Sequence, residues 1–236
     1  NRITRNNAIN KDMGGHGGGI YRADGIIANN LINGNECDYH GGGVNNIYGL
    51  FINNTVTDNI AGGEGGGLHK CYGFVVNSII WGNDSSKGEK QISESTPPQW
   101  CCIENWGGEG KNNITGNPLF RDSSSGDYHL AAGSSCTDAG NTFYLSGDPH
   151  RDMDSECRIS GSSVDIGADE YDSSPDKDGD LLNDSEELLH GSRSDKTDSD
   201  DDGLKDGIEV LRGTDPSVAN VPSGLTVPDD FTSVQE

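Results

Sequence analysis

Triple glycines begin at Gly17, Gly41 and Gly65, an unchanging step of 24 residues, and no other feature restricts the fold of this chain as strongly. The surroundings keep the same step: Ile20, Val44 and Leu68, then Gly25, Gly49 and Gly73, then Ile26, Leu50 and Phe74, then Ile27, Phe51 and Val75. Asparagines follow it at Asn29, Asn53 and Asn77, at Asn30 and Asn54, and at Asn35, Asn59 and Asn83, with Ile32, Val56 and Ile80 between them. A unit this short cannot bury an apolar face alone, so it must stack on copies of itself. Its apolar runs are brief, β-branched or aromatic, and cut by glycine, without the i, i+3, i+4 spacing of a helix. The expected fold is all-β, a parallel β-helix of 24-residue coils with Ile20, Val44 and Leu68 as one inward ladder. Equivalent residues then repeat at the strand spacing of about 4.8 Å. Asparagine suits the corners, because it tolerates left-handed backbone and hydrogen-bonds locally. Residues 3–12 repeat the asparagine half at a step of 23, which predicts one residue gained before Gly17. From Asp84 to about Trp106 the period is lost, and Thr96-Pro97-Pro98 reads as a loop leaving the stack.

Only 31% of the chain is apolar, too little for a large conventional core, and its formal charge of −23 excludes nucleic acid as a partner. Cations are the natural partners of such a chain. No apolar run approaches the ~18 residues of a membrane span, and no secretory signal is present. The chain opens at Asn1 inside a repeat, which reads as a processed or truncated product. Six cysteines fit an oxidising compartment. Cys71 falls where Ile47 and Ala23 stand in earlier coils and reads as a small buried apolar residue, while Cys37, Cys101 and Cys102 have no assigned role.

Coils occupy residues 1–100, and residues 101–171 read as a distinct capping segment. Three blocks carry a resemblance here: "CCIENWGGEGKNNITGNPLF", "GDYHLAAGSSCTDAGN" and "RISGSSVDIGADEY", ending at Tyr171. In their order and spacing they resemble bacterial secreted β-helix proteins whose C-terminal region is called a choice-of-anchor domain. The resemblance implies a right-handed β-helix on an exported protein and no single activity. Cys136 and Cys157 flank a loop returning to this cap, and a bridge between them would contribute roughly 3 kcal/mol.

After Tyr171 the composition turns acidic, and "DKDGDLLNDSEE" from Asp176 matches "DSDDDGLKDGIE" from Asp198 at a step of 22. The second segment places Asp198, Asp200, Asp202, Asp206 and Glu209 at positions one, three, five, nine and twelve of an EF-hand loop, with Gly203 at six. Alternate residues of a tight loop aim carboxylates at one point, position seven donates a backbone carbonyl (Leu204), and the last Glu closes bidentately on calcium. The first segment offers Asp176, Asp178, Asp180, Asp184 and Glu187, with the Leu182 carbonyl, but Leu181 replaces glycine at position six. Strain and weaker affinity are expected there. Each loop leads into a short apolar helix, Glu186–Leu189 or Ile208–Leu211, and residues 172–216 read as a two-site calcium module. The tandem resembles thrombospondin type 3-like and dockerin-like repeats of secreted bacterial proteins; the competing reading is a charge-disordered acidic linker. Residues 217–236 read as an extended linker, or as a strand that pairs with another subunit.

Catalytic candidates also exist. His16 and His40 share a ladder position with Glu64, and Tyr21, Asn45 and His69 share another beside Arg22, Asn46 and Lys70. His69 or Lys70 could act as a base, but polar residues beside glycine corners ordinarily face water. Asn53, Asn83, Asn113 and Asn183 begin N-x-S/T triplets. Two classes of function remain: a non-enzymatic extracellular shaft, adhesin or fibre subunit with a calcium-stiffened tail, or a polysaccharide lyase or other carbohydrate-active enzyme with a calcium-binding spacer. Acidity disfavours polyanionic substrates and tilts the reading to the first, with an extracellular glycan as a possible partner. A coil cut at its boundary exposes unpaired backbone, which raises the expectation of head-to-tail self-association.

Overall fold

The computed structural model describes residues 1–9, 14–144, 151–154, 158–171, 174 and 176–219. The chain divides into two compact units, Asn1–Ser173 and Ser174–Glu236. The first is a parallel β-helix. One sheet runs Arg2–Thr4, Leu31–Asn33, Thr55–Thr57, Ile79–Trp81 and Cys102–Ile103; a second runs Asn7–Ala8, Glu36–Cys37, Ile60–Ala61 and Asp84–Ser85. A third runs Ile20–Ala23, Val44–Ile47, Leu68–His69 and Ile92–Ser93, and a fourth Ile26–Ala28, Leu50–Ile52 and Phe74–Val76. All these pairings are parallel, and Ile20, Val44 and Leu68 align in neighbouring strands. Val44 and Leu68 are fully buried, among Ile32, Phe51, Val56, Val75 and Ile80. Cys71 belongs to the same core, where burial pushes its thiol up to about 12.

Each glycine of a triplet has its own reason. Gly17, Gly41 and Gly65 take φ of 61°, 70° and 64°, the left-handed conformation that other residues resist. At Gly19, Gly43 and Gly67 a Cβ would stand 2.6–2.8 Å from the carbonyl oxygen of Gly43, Gly67 and Gln91 on the next coil. Close approach of backbones therefore demands glycine wherever another coil follows. The strand Ile92–Ser93 is the edge of its sheet, so Glu89, Lys90 and Gln91 meet no such neighbour and side chains are allowed. This corrects the expected end of the repeat. Leu68 still pairs with Ile92 at a step of 24, and Ile79 pairs with Cys102 at 23. Thr96 stays on the stack, donating its amide to the Cys71 carbonyl at 2.9 Å.

The start of the chain is also re-registered. Ile3 pairs with Ile32, a step of 29 rather than 23. That register puts Asn6 at the foot of an internal ladder in which Asn6, Asn35 and Asn59 each donate Nδ2 to Oδ1 of the next asparagine at 2.9 Å. Asn83 ends the ladder on Gln91 at 2.8 Å. Asn35 and Asn59 are fully buried, so these amides satisfy one another where water cannot reach. Asn29, Asn53 and Asn77 are left-handed corner residues, with φ of 55°, 51° and 47°.

Beyond the strand Cys102–Ile103, the described residues close the stack and then return along it. Trp106 packs on the core beyond Ile103, and Phe120–Asp122 pairs antiparallel with Asp127–Leu130. The return lies over the outer face of the first sheet. Tyr128 donates to Asp58 at 2.6 Å and accepts from Asn33 at 2.8 Å, Ala168 donates its amide to Thr55 at 3.0 Å, and Asn77 exchanges two hydrogen bonds with Asn141. A second apolar cluster forms between these layers from Ile79, Cys102, Leu130, Cys136 and Ile166. Cys136 is there a free buried thiol facing Cys102, not half of a bridge; its expected partner Cys157 lies outside the described residues. The last block of the resemblance is a packing motif. Arg158, 1% exposed, donates to the carbonyls of Asp165 and Gly167, and Glu170 accepts the amides of Ser160 and Asp165.

The second unit holds two helices, α1 (Asp184–His190) and α2 (Asp206–Arg212), each starting two residues before the predicted one. No helix among the described residues is long and apolar enough to cross a membrane.

Candidate metal centre

Both acidic segments fold as tight loops entering these helices. In the first, Asp176 accepts the amides of Gly179 at 2.7 Å and Leu181 at 3.1 Å, and Asp180 accepts that of Leu182 at 2.8 Å. In the second, Asp198 accepts the amide of Gly203 at 2.9 Å and Asp202 that of Leu204 at 2.8 Å. In both loops the first and fifth carboxylates are anchored to backbone amides of their own loop, while both oxygens of Asp178 are left without a hydrogen-bond partner. Ligand oxygens of Asp176, Asp178 and Asp180 lie within 4.8 Å of one another, and those of Asp198, Asp200 and Asp202 do the same. Asp184 and Glu187 of the first loop, and Asp206 and Glu209 of the second, sit on the following helix.

Such crowding is unfavourable without a counter-charge. Glu187 is 1% exposed with neither carboxylate oxygen hydrogen-bonded, and burial, then Asp178 and Asp180, push it up to about 7. Burial first, then neighbouring carboxylates, also raises Asp178, Asp180, Asp200 and Glu209. Oδ1 of Asp184, Oδ1 of Asp198 and Oδ2 of Asp200 are likewise buried without a hydrogen-bond partner. Buried carboxylate oxygens left unsatisfied are costly. A hard divalent cation taking oxygen ligands fits this donor set.

The loops differ in ways the sequence only half exposes. Two positions in each take positive φ: Gly179 and Leu181 (76° and 87°), and Asp201 and Gly203 (64° and 94°). Each loop thus spends its glycine on a different one of the two. Asp206 departs from a free ninth-position ligand, because both its oxygens are engaged by the amide and hydroxyl of Ser199 at 2.6 Å. Sequence reading missed the link between the loops, in which Asp180 accepts the amide of Gly207 at 3.2 Å. A Cβ at Gly207 would stand 2.4 Å from the Asp180 carbonyl, so a glycine in the first turn of a helix was the available signal. Asn183 and Glu186 form a reciprocal cap on α1.

Other candidates are also placed. Ligand atoms of His40, Glu64 and His69 converge within 4.8 Å. Asn53, Asn83 and Asn183 are buried, so in the folded chain those triplets are closed to modification. Residues 220–236, and with them most of the expected pairing segment, lie outside the described residues.

The family model of the bacterial TSP3 repeat matches residues 198–219, which cover the second loop and α2. No curated protein and no solved structure matches the chain.

Proposed function

We propose that the chain is a non-enzymatic extracellular or cell-surface component, a β-helical shaft carrying a calcium-binding tail with two sites. Asp176, Asp178, Asp180, Asp184, Glu187 and the Leu182 carbonyl are assigned to one ion, and Asp198, Asp200, Asp202, Asp206, Glu209 and the Leu204 carbonyl to the other. Asp206, held by Ser199, reaches its ion through water, a common role of the ninth position. The observation that carries this reading is Glu187, a buried carboxylate with no hydrogen-bond partner, set among Asp178, Asp180, Asp184 and Asp206. The TSP3 match supports it, since such repeats bind calcium and are typical of extracellular proteins. Bound calcium supplies positive charge that offsets carboxylate repulsion and fixes the loops.

Calorimetric titration of the full chain with calcium is expected to show two binding events, one of them lost in Asp198→Ala and in Glu209→Ala. Absence of binding, or variants that bind like the parent, would refute the assignment.

A further inference from the structure

We propose that the ladder His40–Glu64–His69 is a binding site for a neutral saccharide. The site stands on the coils, and only its adhesive role rests on the function proposed above. His40 and Glu64 immediately precede their glycine triplets, while His69 lies on the adjoining strand between Asn45 and Ser93. The His40 and His69 rings stack at 4.5 Å, and His16 stacks on His40 at 5.6 Å.

The spacing of ligand atoms would admit a metal, but the hydrogen bonds argue against one. Nδ1 of His40 lies 3.0 Å from the amide of Glu64, a group that can only donate, so Nδ1 accepts and the neutral ring carries its proton on Nε2. Asn45 donates Nδ2 to the His40 carbonyl at 2.7 Å, which fixes its amide, and the same Nδ2 faces Nδ1 of His69 at 3.3 Å. His69 therefore also presents Nε2–H. Both rings offer donors where a metal needs lone pairs.

One of those donors has no acceptor. His69 is 2% exposed and its Nε2 makes no hydrogen bond, with the nearest carboxylate, Glu94, 3.9 Å away. Glu94 is paired with Lys70 at 3.4 Å on the surface, where both side chains are about half exposed. Such a pair is weak and can swing aside to admit a ligand. Glu64 supplies the complementary acceptor, one oxygen held by Ser93 at 2.9 Å. Two N–H donors and a carboxylate suit vicinal hydroxyls, each of which accepts one bond and donates another. Tyr21 and Tyr39, each about half exposed beside His16, give flat apolar faces for a sugar ring. Glu64 and Glu94, on a chain of charge −23, disfavour anionic ligands.

The test uses the full, calcium-loaded chain. Calorimetric titration with neutral oligosaccharides (cello-, manno-, xylo- and chito-hexaose) is expected to give binding to at least one, weakened tenfold or more by Glu64→Gln and by His40→Ala. Both substitutions are at half-buried positions, and unchanged melting would show that they fold. Nitrogen-15 spectra of the histidines are expected to show the Nε2–H form on both rings. No binding by any of the four sugars, binding unaffected by either variant, an Nδ1–H ring, or stoichiometric zinc binding lost in His40→Ala would each overturn the proposal. Calcium titration of the same samples reads the tail separately, so failure of this site is distinguishable from failure of the calcium reading.

Discussion

Two residues show how conformation and charge are tuned locally. Leu181 sits at φ 87° where the matching loop has Gly203 at 94°. A side chain in the left-handed region costs about 1 kcal/mol or more, so Leu181→Gly is expected to tighten calcium at the first loop by roughly fivefold; calorimetry would read the change, and an unchanged affinity would show that the strain is released elsewhere. His129 is clamped between carboxylates, Nε2 to Asp154 and Nδ1 to Asp127, which raise it to about 9 against partial burial. Its folded-state value lies above its ordinary 6.5, so its stabilisation is complete below about pH 6.5 and fades as pH rises through about 9. Melting of the parent chain is expected to fall across that window, and His129→Gln should flatten this part of the profile.

At the scale of the element, the coil succeeds because each position in 24 has one job. Val44 is fully buried between Ile20 and Leu68. Val44→Asp would bury an unpaired charge and is expected to cost about 4 kcal/mol or to prevent folding; thermal denaturation with the parent's midpoint would show that this ladder does not face the core. The asparagine ladders add what apolar packing cannot, since a slip by one residue would leave buried amides without partners. Periodicity made these coils legible, but it disappeared at Glu89–Gln91 for a physical reason. The third glycine of each triplet is required only beneath a following coil, so the edge coil was released from that part of the pattern that identified the others.

At the scale of the whole molecule, the return of the described residues between 116 and 171 over the first sheet adds a second layer to the β-helix. Tyr128→Phe removes two hydrogen bonds between these layers, to Asp58 and Asn33, and is expected to cost about 1–2 kcal/mol; denaturant titration would measure it, and no loss would mean that the return is held by its apolar contacts alone. By itself the sequence determined the stacked coils, the inward ladder, the inert burial of Cys71 and the two acidic loops in register, because each follows from local spacing. Tertiary structure alone decided the step of 29 at the first coil, the meeting of Cys136 with Cys102, the bond from Asp180 to Gly207 and the approach of His69 to the periodic pair His40 and Glu64. Those depend on which distant segments pack together, and that choice is made by shape and by the need to satisfy buried polar groups, neither of which has a period along the chain.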